Sequence, residues 1–251
     1  MAKIVCTIEA RMKSSRLPGK VLSKIGNHTC LDLQIKRLSK SKFIEEIIIA
    51  STVNEEDDLI EKFAKKNSFQ VFRGAENDIT KRIIDACKYI KGDIIVQITG
   101  DCPFIDPLIV DKTIEKFLTD EDVYDLVGNN LERSFPIGLD CRVFSLCALQ
   151  KVDNLCVDDV HRIHGSTFMY SNEGKGVFNT MNIMADKDYC KPNLRLTLDT
   201  IEDLNFFNTF ATEYGGNLVD ISALEIIEFL EKNKDIAMIN SKVRQKEIHE
   251  G

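Results

Sequence analysis

The chain has 251 residues, 43% of them hydrophobic, which is ample material for a packed core and excludes a disordered polypeptide. A formal net charge of −7 argues against a general DNA- or RNA-binding surface. No apolar run reaches membrane-spanning length and no basic-then-apolar leader opens the sequence, so a cytoplasmic protein with no membrane partner is expected.

The first predicted element is a short apolar strand over 4–8, which empties into a long cationic loop. Arg11, Lys13, Arg16 and Lys20 fall within ten residues there, interleaved with Ser14, Ser15 and Gly19. Hydroxyls, backbone N–H groups and cations at a strand end make a place for polyphosphate. Arg supplies forked contacts to phosphate oxygens and Lys a mobile point charge. Leu31, Ile35 and Leu38 recur at helical spacing and predict a helix ending near Lys40. The continuous apolar run at 45–50 predicts a strand buried on both faces. Asn54 is expected to cap a helix over 55–66, and a third strand over 69–72 closes at Arg73-Gly74. Asn77 or Asp78 caps a helix over 79–90, and the strand over 93–99 stops abruptly at Gly100-Asp101-Cys102-Pro103. Strands alternating with helices of these lengths predict βαβ units and a mostly parallel α/β sheet.

The middle is less regular. Pro107 begins a helix to Phe117, short strands are expected over 124–127, 138–144 and 178–183, and short helices over 145–152 and 158–164. The Leu-Arg-Leu-Thr-Leu alternation at 194–198 predicts a strand with one wet face. Thr200 caps a helix over 201–213, and an amphipathic helix over 221–232 precedes a polar tail. With no repeat or linker, the chain reads as one domain with an inserted excursion over about 123–193. Eight cysteines at 6, 30, 87, 102, 141, 147, 156 and 190 form no Cys-x-x-Cys pair and are expected to be reduced structural thiols.

In an open α/β sheet, ligands lie beyond the carboxyl ends of the strands. Three polar clusters occupy such ends: the cationic loop, Asp101 and Asp199. Mg²⁺ binds through one or two carboxylates and completes its shell with water and substrate phosphates, so Asp101 and Asp199 are its candidate ligands. Each also has a plain reading, Asp101 as a turn residue and Asp199 as a helix cap. The loop, taken alone, could be a solvated face.

ARMKSSRLPGKVL at 10–22 resembles the nucleotide loop of the CMP-sugar synthetase superfamily, in particular the cytidylyltransferases that include 3-deoxy-manno-octulosonate cytidylyltransferase and spore-coat polysaccharide biosynthesis proteins. ITGDCPFIDP at 98–107 and LRLTLDTIEDL at 194–204 resemble the segments that supply its magnesium ligands. FPIGLDCRVFS at 135–145 and the cluster His161-Arg162-Ile163-His164 resemble the spore-coat branch. The resemblance implies a Rossmann-like fold of the nucleotide-diphospho-sugar transferase type, with helices flanking the sheet. It places Ala10, Arg11, Ser14, Arg16, Lys20, Arg73, Arg82, Thr99 and Gly100 on the nucleotide, and Asp101 and Asp199 on Mg²⁺. Lys20, Arg16 and Asp101 are its catalytic candidates; Asp140, His161, Arg162 and His164 would face the sugar. The histidine cluster could equally be a polar helix surface, and lacks a third ligand for a transition metal.

The expected activity is Mg²⁺-dependent transfer of CMP from CTP to an acidic sugar, with release of pyrophosphate. The resemblance also implies a homodimer, with the 123–193 excursion used for assembly or substrate closure. Two other readings stay open: a nucleotide-sugar-dependent glycosyltransferase, which needs no cationic triphosphate loop, and an idle nucleotide-binding homologue. The base and the acceptor sugar are not fixed by any residue type.

Overall fold

Alternation along the first strand decides how the layers form in the computed structural model, which describes residues 2–246. β1 (Ile4–Glu9) turns Ile4, Cys6 and Ile8 into one apolar core and Val5 into another on the opposite face of the sheet. A two-stranded ribbon, β2 (Lys24–Ile25) and β3 (His28–Thr29), leads into α1 (Cys30–Leu38), where the Thr29 hydroxyl oxygen accepts from the Asp32 N–H. β4 (Glu46–Thr52), α2 (Asp58–Lys66), β5 (Gln70–Gly74), α3 (Ile79–Tyr89) and β6 (Ile94–Thr99) then alternate as the sequence predicts. β1 runs parallel to β4 and β6, and β4 parallel to β5.

After α4 (Pro107–Thr119) come β7 (Leu126–Gly128), β8 (Arg142–Ser145), α5 (Leu146–Leu155), α6 (Asp159–Arg162) and β9 (Thr180–Asn182). The three strands extend the same sheet, whose order is β5-β4-β1-β6-β8-β7-β9, with β8 antiparallel to β6 and β7. Residues of α1, α2 and α4 pack on one face; α3, α5 and a 3-10 stretch at Gly165–Tyr170 cover the other. A third core joins α7 (Ile201–Tyr214) and α8 (Ala223–Lys232) to α1 through Phe104, Phe206, Phe207 and Phe210. Thr200–Asp203 and Ser222–Glu225 form capping boxes that start those helices, and α9 (Lys234–Met238) follows.

Several boundaries move for physical reasons. Residues 194–198 are extended but join no sheet: Ile137 bridges Arg195, and the Leu198 N–H donates to the Asp101 carbonyl at 2.8 Å. Neither of its faces is wet, since Arg195 is 3% and Thr197 4% exposed. Gly138 permits this pairing, with φ of +100° and no room for a Cβ, which would meet the Leu196 carbonyl oxygen at 2.3 Å. The strand predicted from 138 therefore begins at Arg142. The helix predicted from 55 opens as a 3-10 turn at Glu55–Asp57, and Asn54 makes no side-chain cap. Asp57 is buried there and accepts from the Met12 N–H at 2.6 Å and from the Thr52 hydroxyl, tying the cationic loop to β4. The helix predicted to 164 stops at Arg162. All eight cysteines are free, six of them buried. No helix among the described residues is long and apolar enough to cross a membrane.

Candidate active site

β1, β6 and the extended 194–198 segment end side by side, and their terminal residues build one cleft of about 380 Å³. Gly19 adopts φ of 74°, and its N–H donates to the Met12 carbonyl at 2.7 Å, folding the loop back and starting a 3-10 turn at Lys20–Leu22. Gly100 lets β6 close on β1: its N–H donates to the Glu9 carbonyl at 2.9 Å, and a Cβ would lie 2.8 Å from that oxygen. Asp101 follows on the turn, its Oδ1 accepting from the Thr99 hydroxyl at 2.7 Å. The Thr197 hydroxyl and Leu198 N–H both donate to the Asp101 carbonyl, which sets Asp199 beside Asp101.

The two carboxylates converge on one cation. Lys20 Nζ lies 2.6 Å from Asp101 Oδ2 and 2.6 Å from Asp199 Oδ1. Asp199 is also paired with Arg16 at 3.0 Å and with Arg195 at 2.8 Å. Burial would raise its pKa, but Lys20, then Arg16 and Arg195, pull it down to about 2. Burial would likewise lower Lys20, yet Asp101 and Asp199 hold its ammonium well above the usual lysine range. Beneath this layer Arg195 also grips Asp203 at 2.8 Å, and Asp203 Oδ2 accepts from the Asp199 N–H at 2.9 Å.

Arg11, Lys13, Ser14, Ser15, Arg16, Lys20 and Lys246 bring cations and hydroxyls to the cleft lining, which Glu9, Ala10, Asn77, Arg82, Thr99, Gly100 and His164 complete with the two aspartates. Arg11 and Lys13 lean on Glu76 at 3.9 and 3.4 Å. Arg82 is 1% exposed and donates to the Ala75 carbonyl at 2.9 Å, while its Nε has no partner among the described residues.

Thus Ala10, Arg11, Ser14, Arg16, Lys20, Arg82, Thr99, Gly100, Asp101, Asp199 and His164 of the predicted set share one cleft. The other four are engaged elsewhere. Arg73 spans Asp58 and Glu61 at 2.6 and 2.7 Å and donates to the Thr52 and Asn54 carbonyls, stitching β5 to α2. Asp140 takes a two-pronged bond from Arg133. His161 meets Thr167 and Glu173, and Arg162 joins Asp78 and Asp153 at 2.5 and 2.6 Å, so these two lock α6 onto its neighbours. Replacing Arg73 with Ala should lower stability by about 1–2 kcal/mol in denaturant unfolding while nucleotide affinity stays within about twofold of wild type.

Glu9, Glu76, Arg195 and Lys246 are site residues outside the predicted set. Glu9 shares the sheet face of Val5, against α3, and accepts from Thr7 Oγ1 and Gln97 Nε2, each at 3.1 Å. Burial, partly offset by these bonds and by Arg82, pushes its carboxyl from the ordinary 4.5 up to about 7. The unfolded chain therefore loses this proton before the folded one, and stability falls as pH rises from about 4.5 to about 7. Glu9→Gln should consequently raise the melting temperature at pH 8, by on the order of 1–2 kcal/mol of stability, with little effect at pH 5.

Among the described residues no three His, Cys, Asp or Glu side chains gather to hold a metal alone. The Asp101–Asp199 pair would nonetheless suit a magnesium ion, a cation that binds through one or two carboxylates and completes its shell with water and phosphate oxygens. The observation behind that fit is the Lys20 ammonium, a cation already bound at the point where both carboxylates meet.

A sequence profile described as Cytidylyltransferase matches residues 5–135. Spore coat polysaccharide biosynthesis protein SpsF of Bacillus subtilis is 30% identical over 94% of the chain and 98% of its own length. A cytidylyltransferase structure from Leptospira borgpetersenii superposes with a TM-score of 0.88 at 34% identity, covering 98% of this chain and 100% of that one. The structure of CMP:2-keto-3-deoxy-manno-octonic acid synthetase complexed with CTP shares the fold, with a TM-score of 0.63 at 16% identity over 85% of this chain and 100% of that one.

Proposed function

Because the chain belongs to the cytidylyltransferase family, we propose that its cleft binds CTP with Mg²⁺ and transfers CMP to a hydroxyl of an acidic sugar. The observation that carries this reading is the convergence of Asp101 and Asp199 on one cation beside a loop of Arg and Lys side chains.

The acceptor oxygen attacks the α-phosphorus, the bond from that phosphorus to the α–β bridging oxygen breaks, and pyrophosphate leaves while the hydroxyl gives up its proton. Such chemistry needs charge neutralisation and alignment more than covalent help. Asp101 and Asp199 would hold the metal, which when bound neutralises triphosphate charge and favours the ionised acceptor oxygen. Arg11, Lys13, Arg16 and Lys20 supply the cationic wall for the β- and γ-phosphates. Arg82 also lines the cleft and adds a further positive charge to it. Of the four residues expected to meet the acceptor, His164 lines the cleft and is the one assigned to it.

Pyrophosphate release tests the proposal. CTP, UTP, GTP and ATP are each incubated with Mg²⁺ and a panel of octulosonic acids, nonulosonic acids and phosphates of neutral sugars. The expected result is release with CTP and one sugar acid, abolished by EDTA. Turnover with phosphates of neutral sugars alone would overturn the sugar-acid acceptor, and turnover unaffected by EDTA would overturn the metal.

A further inference from the structure

Beyond α9 the chain runs without regular structure back across the mouth of the phosphate loop, and it is tied down at several points. Asn240, 1% exposed, donates from Nδ2 to Asp203 Oδ1 at 2.9 Å and to the Arg195 carbonyl at 3.2 Å. Gln245 Oε1 accepts from Arg195 Nη1 at 2.6 Å. The Arg244 carbonyl accepts from Arg16 Nη1 at 3.1 Å, the same guanidinium whose Nη2 pairs with Asp199. Both arginines that load Asp199 are therefore shared with this segment. Its last described residue, Lys246, enters the cleft itself, where Nζ donates to Ser15 Oγ at 3.2 Å.

The geometry points to Lys246 as a substrate-binding residue for the triphosphate, carried into the cleft by a strap formed by residues 240–246. This assignment rests on the CTP reading above and extends it to a part of the chain far outside the matched profile, which ends at residue 135. The strap anchors through Asn240, a buried side chain with two hydrogen bonds, so the approach of Lys246 does not depend on its own contacts alone. Lys246 joins Arg16 and Lys20 around the loop hydroxyls, and an ammonium there acts on phosphate as a point charge that salt screens. Lys242, on the same strap, is exposed and borders a neighbouring hollow instead of the cleft, which makes it the matched control.

The test is calorimetric titration of CTP with Mg²⁺, and of inorganic pyrophosphate alone, into wild type, Lys246→Ala, Lys246→Arg and Lys242→Ala, at low and high salt. Lys246→Ala should weaken CTP and pyrophosphate binding about tenfold at low salt, with a smaller difference at high salt. Its melting temperature should match wild type, and in turnover KM for CTP should rise more than kcat falls. Lys246→Arg should recover most of the affinity, and Lys242→Ala should bind within about twofold of wild type. Wild-type affinity in Lys246→Ala would overturn the assignment while leaving the CTP reading intact. Failure of the wild type to bind CTP would overturn both.

Discussion

Asp101→Asn is expected to turn CTP over about 10³-fold more slowly than wild type while melting within a few degrees of it. The amide has the shape of the carboxylate and keeps an oxygen for the Thr99 hydroxyl, so the turn after β6 survives. The turn's backbone is held independently, by the Thr197 hydroxyl and the Leu198 N–H on the Asp101 carbonyl. Lys20 remains paired with Asp199, so no buried cation is left alone. What disappears is one of two negative charges that converge on a single cation position. The metal would lose one of its two anionic protein ligands, and with it part of the charge stabilisation at the reacting phosphate. Steady-state pyrophosphate release with a parallel thermal melt reads both quantities, and a near-wild-type rate would remove Asp101 from the mechanism.

Arg195→Met is expected to lower stability by about 3–5 kcal/mol, which in a chain of this size corresponds to a melting temperature lower by roughly 10 °C. Asp203 is fully buried and Asp199 nearly so, and Arg195 is 2.8 Å from each. Removing its charge strands Asp203, whose carboxylate also receives the N–H groups of Asp199 and Thr200 at the start of α7. Adding Asp203→Asn to this variant should recover part of the loss, because an unpaired buried charge costs more than an amide in the same place. Activity should fall with stability, since Arg195 also orients Asp199. Denaturant melts of the single and double variants decide the matter, and no recovery in the double variant would place the cost elsewhere.

The parallel half of the fold was legible because strands buried on both faces leave continuous apolar runs. β1, β4 and β6 carry such runs, and the helices between them show one apolar stripe each. The loop and Asp101 were legible for a different reason: their chemistry is local, several cations and a Gly-Asp turn at strand ends. Arg195 was hidden by its own pattern. Leu-Arg-Leu-Thr-Leu reads as one wet face, and a polar face made dry by a buried ion pair gives the same alternation. Asp203 at the third position after Thr200 was the available hint, since a capping box needs that residue type there. Glu9 gives no such signal, because the apolar run stops at Ile8 even though residues 5, 7 and 9 share a face of the strand. Arg73 and Arg82 look alike in sequence, but Asp58 and Glu61, one turn apart on α2, claim the first. Lys246 carries no local signal at all: its position depends on Asn240 folding the strap back onto Asp203.

The most direct measurement is a crystal structure of the protein with CTP and Mg²⁺. It should show a metal held by Asp101 and Asp199, the triphosphate along Arg11, Arg16 and Lys246, and Lys20 Nζ moved from the carboxylates onto phosphate oxygens. Lys20 still bridging Asp101 and Asp199, with the nucleotide bound away from this cleft, would contradict the proposed site.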